Sequence, residues 1–501
     1  MKIRPLNIID FYKADHRRQY PDKTTLVYSN LTPRGSRLEG VDKVVFFGLQ
    51  YVIKEFLIDT WRDRFFNLDE DYVVGLYKRR MDNALGKDAI PSMDHIRYLW
   101  NKRYLPIKIK AIPEGSRVNI NSPLMTIVNT DPKLFWLTNY LETFLSQELW
   151  KMINNATVAN LFRKTFDRFA DETGADKNFV PWQGHDFSAR GMSGFYDSVS
   201  SGACHLLSFT GTDTCHAIDF LEEYYEADSD REMIGGSVFA TEHSVMCAGG
   251  EVNELDTFKR LITEVYPTGV VSIVSDTWDY WGVLTKILPQ LKDIIQERYN
   301  RDPANSRFPG YPGSKVVIRP DTGNPVKVIC GDPDMVGKGI EFIPEVKGSI
   351  EVLWDLFGGS TTSKGFKQLN PCIGLIQGDS VNLSNQKEIL QGLMNKGFAS
   401  SNIVLGIGSY TYQYCTRDTL SQAMKATYAE VDGVGREIFK NPKTGSYKKS
   451  HKGLLCVNAD GSVKEQCTWE EEKGGILRDV FCDGQLLVED TLAQIRKRIN
   501  G

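Results

Sequence analysis

Apolar positions follow one rhythm up to about residue 150 and another beyond it. In the first stretch, Asp10-Phe11-Tyr12-Lys13-Ala14-Asp15-His16 reads as a helix start with Asp10 as its N-cap. Residues 24–31 predict a strand, closed by the turn Pro33-Arg34-Gly35. Residues 44–58, 72–83 and 93–103 carry apolar side chains at helical spacing. Residues 107–112, 116–120 and 124–128 predict short strands broken by Pro and Gly, and 134–152 an amphipathic helix rich in Trp, Phe and Leu. This first region is α+β.

Beyond it the order becomes apolar strand, polar tip, helix. Residues 270–274 end in Ser275-Asp276, and 315–318 end in Arg319-Pro320-Asp321-Thr322-Gly323-Asn324-Pro325. Residues 372–376 end in Gln377-Gly378-Asp379, with a helix over 385–396; residues 403–405 run into Gly406-Ile407-Gly408-Ser409. Apolar strands alternating with helices predict a parallel sheet, and this many in series predict an α/β barrel. Residues 425–431, 436–439 and 454–457 read as strands again, so the C-terminus is expected to fold back on the first domain. The predicted organisation is an N-terminal α+β domain over 1–150, a barrel domain over 151–424 and a returning segment over 425–501.

Composition narrows the function classes. Hydrophobic residues make up 41% and charged residues 25% of the 501, with 60 basic against 64 acidic side chains giving a net charge of −4. That balance gives no electrostatic footprint for nucleic acid or an anionic membrane. No apolar run is long enough to span a bilayer. The nine cysteines include no Cys-x-x-Cys pair, so neither a zinc site nor a disulfide framework is indicated and a cytoplasmic setting is expected.

The candidate chemistry gathers around Gly235-Gly236-Ser237-Val238-Phe239-Ala240-Thr241-Glu242-His243-Ser244. A Gly pair permits close approach to a ligand, and His243 is a side chain that can shuttle protons or act as a nucleophile. Asp276, Arg319, Asp321 and Asp379 each follow an apolar strand, where barrels carry their active sites. Arg319 has the planar fork that clamps phosphate, and the carboxylates suit ribose hydroxyls or Mg²⁺. Gly406-x-Gly408-Ser409 is a phosphate-cradle candidate or a plain turn. His185-Asp186-Phe187-Ser188-Ala189-Arg190-Gly191 offers an aromatic, an acid and an Arg within one turn. Thr210-Gly211-Thr212-Asp213-Thr214 either places Asp213 in a pocket or forms an Asx-type turn.

Taken in order, these motifs resemble the nicotinamide phosphoribosyltransferase family of type II phosphoribosyltransferases. The resemblance runs from Asp10 to about Gly453. Its further markers are Gln19-Tyr20-Pro21, Gly48-Leu49-Gln50-Tyr51, Ala111-x-Pro113-Glu114-Gly115, Asn129-Thr130-Asp131-Pro132 and Thr416-Arg417-Asp418. It implies an irregular α/β barrel beside a domain built from both chain ends, in a homodimer with shared active sites. It further implies transfer of phosphoribosyl from phosphoribosyl pyrophosphate to nicotinamide in NAD salvage, with Mg²⁺ as cofactor and ATP as a stimulating co-substrate.

By the same resemblance Phe187 and the partner's Tyr12 sandwich the pyridine, and Asp213 accepts from its carboxamide. Arg190, His243 and Arg319 hold pyrophosphate, while Asp321, Gly378 and Asp379 hold ribose or its phosphate. Gly408 and Ser409 correspond to the 5′-phosphate cradle. Arg34, Arg417, Lys425, Lys440 and Lys448 match phosphate-binding positions contributed across the dimer. His243 matches a histidine phosphorylated by ATP, and Asp276 the carboxylate orienting it. The chain departs from the family where Tyr410 replaces a glycine, at Phe239 and Thr241, and over residues 301–313.

Two rival readings use the same residues. Nicotinate phosphoribosyltransferase shares the fold and chemistry but takes an acid. A metal-dependent barrel hydrolase would use His185, Asp186, His243 and Asp276.

Overall fold

The computed structural model describes residues 4–302, 313–336, 343–439 and 450–500. They form two compact units, one of Met1–Thr157, Leu221–Ala227 and Cys415–Gly501, the other of Val158–Phe220 and Asp228–Tyr414.

The first unit is organised on a seven-stranded antiparallel sheet. Its order is Val434–Glu437, Gln422–Val431, Thr24–Pro33, Met125–Asn129, Ile107–Ala111, Arg478–Cys482 and Gln485–Leu486. Both chain ends thus contribute strands, as expected for a domain shared between them. Thr24 pairs with Val431 at one end of the central ladder and Pro33 with Gln422 at the other. Two sequence motifs meet here. Buried Glu114 accepts the backbone N–H groups of Gly48 at 2.9 Å and Gln50 at 2.6 Å, and the Tyr225 hydroxyl at 3.0 Å. The carboxylate thereby satisfies N–H groups at the start of the helical segment that opens at Leu49.

Several local expectations need correction. Asp10 sits at the N-cap position but does not cap; its carboxylate accepts from the Thr143 hydroxyl at 2.7 Å instead. The helical spacing over 44–58 is interrupted: Lys43–Val45 is a strand, and the helix begins only after Gly48, whose φ of 109° stops it running further back. The helix expected over 134–152 is two short turns followed by one 32-residue helix, Glu142–Thr173.

In the second unit, seven parallel strands lie in the order Gly211–Thr212, Gly184–Asp186, Ile403–Ile407, Ile373–Gln377, Lys315–Arg319, Val270–Val274 and Phe239–Ala240. The sheet curls until its edges meet. Thr212 donates to the Gly236 carbonyl at 2.9 Å, and Gly236 donates to that of Thr210 at 2.8 Å. The result is an irregular α/β barrel. Along Lys315–Arg319 the side chains alternate: Val316 and Ile318 are buried, while Lys315, Val317 and Arg319 line the interior. Outer helices include Leu288–Arg301, Ser349–Phe357 and Leu383–Asn395, the last opened by an Asn382–Asn385 capping box. All nine cysteines are free, and among the described residues no helix is long and apolar enough to cross a membrane.

Candidate active site

The polar tips of three neighbouring strands converge at the C-terminal end of the barrel. Val270–Val274 is fully buried and delivers Asp276, whose side chain is only 3% exposed. One Asp276 oxygen lies 3.0 Å from His243 Nε2, and the other accepts the backbone N–H of Asp321 at 3.0 Å. The carboxylate is therefore fixed from two sides, and the imidazole is oriented by it. In the neutral ring the proton sits on Nε2, leaving Nδ1 as the atom with a free lone pair. His243 opens the helix His243–Gly249 and is 47% exposed, so that lone pair is reachable from solvent. Glu242, beside it in sequence, takes no part in the pair; it accepts from the Ser244 hydroxyl.

Arg319 closes the next strand. Its Nη2 donates to the Thr241 carbonyl at 2.7 Å, tying it to the segment that carries His243. Its Nε lies 3.3 Å from Asp321 Oδ1 yet makes no hydrogen bond, so a buried guanidinium donor remains unspent. Burial pushes the Asp321 carboxyl above the ordinary range; Arg319 pulls it down, while Asp276 and Asp379 push it up. Gly378 packs directly on this carboxylate. A Cβ there would fall well inside contact distance of Asp321 Oδ1 and 3.3 Å from its Cγ.

A second cluster forms where Gly184–Asp186 pairs with Gly211–Thr212. His185 Nε2 lies 2.9 Å from Asp213 Oδ1, and the Ser237 hydroxyl donates to the same oxygen at 2.5 Å. Burial raises the Asp213 carboxyl, but the His185 and Ser237 hydrogen bonds and nearby Arg319 outweigh it and hold the group below its usual range. Phe187 follows with its ring centroid 4.7 Å from that of His185. Its ring also packs against Gly406, where a Cβ would come 2.5 Å from Cδ2 and 2.7 Å from Cε2. Gly406, a candidate for a phosphate cradle or a plain turn, is thus also kept a glycine by an aromatic ring. These side chains line a cavity of about 320 Å³ inside the barrel, with Trp182 and Val238 beside Phe187 and Asp213, and Arg319 among the lining.

The structure brings His243, Asp276, Arg319, Asp321, Gly378, Phe187 and Asp213 into one unit. Arg190 is exposed in the turn Ala189–Gly191, and Asp379 is exposed with one oxygen bonded to the Ser380 hydroxyl at 2.7 Å. Gly408 precedes the short helix Ser409–Gln413, and Gly191 packs against the Ser409 side chain. Tyr12, Arg34, Arg417 and Lys425 belong to the other unit; there Tyr12 is 61% exposed and Lys425 lies 3.4 Å from Glu142. Lys440 and Lys448 lie outside the described residues. Asp186 is buried and committed to the Ser188 backbone at 2.9 Å and the Thr214 hydroxyl at 2.6 Å. Among the described residues, no three His, Cys, Asp or Glu side chains converge as a metal site. Sequence reasoning gave no contact to Ser237 or Thr241, which flank the apolar run before His243, and missed the pairing of His185 with Asp213.

A curled parallel sheet whose strand ends gather carboxylates, an Arg and a His beside an aromatic cavity defines the type II phosphoribosyltransferase fold. Human nicotinic acid phosphoribosyltransferase has this fold, with TM-score 0.55, 15% identity, and coverage of 98% of this chain and 92% of that one. So does nicotinate-nucleotide pyrophosphorylase from Pyrococcus furiosus, with TM-score 0.52, 12% identity, and 98% and 93% coverage. The sequence goes further. Residues 182–485 match the nicotinate phosphoribosyltransferase (NAPRTase) family and residues 6–61 the N-terminal domain of nicotinamide phosphoribosyltransferase. The nicotinamide phosphoribosyltransferase of Acinetobacter baylyi is 53% identical over 507 residues, covering 99% of this chain and 97% of that protein. The Mycoplasma pneumoniae enzyme of the same name is 34% identical over 470 residues, with 89% and 94% coverage. The chain belongs to the nicotinamide phosphoribosyltransferase family.

Proposed function

We propose that this chain transfers the phosphoribosyl group of phosphoribosyl pyrophosphate to nicotinamide, giving nicotinamide mononucleotide and pyrophosphate in NAD salvage. The observation that carries the choice of pyridine is Asp213, an ionised acid held inside an aromatic cavity. A neutral carboxamide donates an N–H to such an acid, whereas the carboxylate of nicotinate would meet like charge. Phe187 supplies a flat apolar face on a rigid strand end. Arg319, with its unspent Nε donor, faces the leaving pyrophosphate, and Asp321 and Asp379 face the ribose. At an oxocarbenium-like ribose carbon, catalysis consists of neutralising the leaving group and holding the nucleophile in line. Gly408, Ser409 and Arg190 complete the phosphate contacts in this reading.

The Asp276–His243 pair supports a second step at the same site. Asp276 holds the Nε2 proton, so His243 Nδ1 attacks the γ-phosphorus of ATP; a P–N bond forms, the P–O bond to ADP breaks, and ADP leaves. Phosphohistidine then couples ATP hydrolysis to turnover. Mg²⁺ keeps most of its waters and takes one or two carboxylates plus substrate phosphates. Asp321 and Asp379 fit that donor set, and the ion would supply charge neutralisation on pyrophosphate. In this reading two copies of the chain assemble, each lending Tyr12, Arg34, Arg417, Lys425, Lys440 and Lys448 to the other's site, in the cytoplasm.

The deciding experiment incubates the protein with phosphoribosyl pyrophosphate, Mg²⁺ and either nicotinamide or nicotinate, and identifies the nucleotide by mass. Nicotinamide mononucleotide as the main product is expected. Nicotinate mononucleotide would overturn the substrate, and neither product would overturn the reaction.

A further inference from the structure

The buried residues His205 and Tyr412 lie outside the lining of the barrel cavity, yet they connect the strands that carry His185 and Asp213 to the helix after Gly408. His205 Nε2 lies 3.2 Å from the Gly184 carbonyl and 3.0 Å from that of Gly211, the first residues of the two strands that end in the His185–Asp213 cluster. Both partners only accept, so Nε2 carries the proton and serves both strands at once. Burial pushes the imidazole down to about 4, against the pull of nearby Asp186 and with a further push from His185, so the ring is neutral near pH 7. Its Nδ1 is then an acceptor, and Tyr412 Oη lies 2.7 Å away as the donor. Burial raises the Tyr412 phenol well above its usual range, which keeps that donor protonated.

Tyr412 sits in the short helix Ser409–Gln413, and its backbone N–H returns to the Gly408 carbonyl at 3.3 Å. Phe209 stacks on the imidazole with centroids 4.9 Å apart at 21°, and Gly184 leaves room for that ring. One imidazole therefore joins three pieces of backbone: the two pyridine-side strands and the loop at Gly408-Ser409.

We infer that His205 and Tyr412 are positioning residues for the transfer, holding the 5′-phosphate loop in register with the pyridine-binding pair. This rests on the proposed placement of the phosphoribosyl group at Gly408 and Ser409. The two residues act differently. Tyr412→Phe removes one hydroxyl and keeps the ring, cutting the loop's bond to the imidazole while leaving His205 on both strands. His205→Leu releases the loop and both strands.

The test is the calorimetric Kd for phosphoribosyl pyrophosphate, with KM for nicotinamide measured separately. For Tyr412→Phe, loss of a buried hydrogen bond predicts a Kd weakened about five- to tenfold, with KM for nicotinamide within about twofold. His205→Leu is expected to raise both. Leu291→Ala, on the helix Leu288–Arg301, is the stability control. ¹⁵N shifts of His205 should report a neutral ring protonated on Nε2 in the native protein.

A folded Tyr412→Phe with unchanged Kd, or a loss matched by Leu291→Ala, overturns the inference; so does an Nδ1-protonated ring. Tyr412→Phe carries the test should His205→Leu not fold. The Kd does not depend on which pyridine is used. A native protein that binds phosphoribosyl pyrophosphate but converts nicotinate overturns only the proposed substrate, whereas one that does not bind it overturns both readings.

Discussion

Gly378→Ala isolates the part of the site that works by shape. The added methyl meets Asp321 Oδ1 well inside contact distance, and sits 3.3 Å from Cγ and 3.7 Å from Arg319 Cδ. The obstacle is the free end of a side chain, so the carboxylate can swing aside. A displacement of about 1 Å relieves the overlap at roughly 1 kcal/mol in off-rotamer strain. The fold should barely notice, and the melting temperature should fall by no more than about 4 °C. The chemistry should notice. Asp321 leaves its place beside Arg319, and its backbone N–H, which steadies Asp276 at 3.0 Å, is strained with it. Misplacing a positioning group by about 1 Å costs up to 100-fold in rate. The assay is kcat/KM for nicotinamide mononucleotide formation at saturating phosphoribosyl pyrophosphate, paired with a thermal melt. Asp321→Ala removes the atom that is struck, so Gly378→Ala added to Asp321→Ala should do little further harm. A folded Gly378→Ala with activity within twofold of native, or a double variant in which the losses multiply, refutes the reasoning.

Asp213→Asn keeps the shape and removes the charge. It should lower nicotinamide use and narrow its preference over nicotinate, read as the ratio of kcat/KM values; an unchanged ratio in a folded variant would show that Asp213 serves only His185 and Ser237. His243→Ala should abolish acid-labile phosphate transferred from ATP, together with any ATP stimulation, while uncoupled transfer persists; stimulation surviving the substitution would remove His243 from that role. For His205, the folded-state value of about 4 lies below the unfolded 6.5, so the unfolded chain binds more protons between those values. Stability is therefore full above pH 6.5 and is lost as pH falls toward 4, by up to about 3 kcal/mol. Chemical denaturation at pH 7 and pH 4.5 should show that loss, and His205→Gln should remove it.

What was legible in the sequence follows from what a strand end must do. Val270–Val274 and its neighbours announce themselves as apolar runs, and the first polar residues after them can only emerge at the barrel's rim. Asp276, Arg319 and Asp321 could be grouped on that ground, and the pairing of Asp276 with His243 followed from the family motifs. The partners of Asp213 could not be read, because His185 reaches it from the strand Gly184–Asp186 and Ser237 from the loop before Phe239–Ala240, and no local spacing encodes the meeting. Gly406 was legible as special, as a phosphate-cradle candidate or a plain turn, but the ring it accommodates was not, since Phe187 is over 200 residues away in sequence. His205 resembled any core histidine; only two backbone carbonyls and a tyrosine set it apart. The break at Gly48 was hidden because apolar spacing continues across it while the backbone does not.

The ladder between Thr24–Pro33 and Gln422–Val431 has a consequence for how the chain is made. The partner of an early strand leaves the ribosome nearly 400 residues later. At roughly 5–20 residues per second, that is an interval of about 20 to 80 s. Once Met125–Asn129 has emerged, the strand Thr24–Pro33 can pair with it on one side but presents an open edge on the other until Gln422–Val431 arrives. The barrel unit, by contrast, has its whole sequence by Tyr414. The nascent protein must therefore shield a half-built sheet while the rest is translated, and because Arg478–Cys482 is the last long strand to reach it, beside Ile107–Ala111, a ribosome pause before that strand emerges still leaves an edge open.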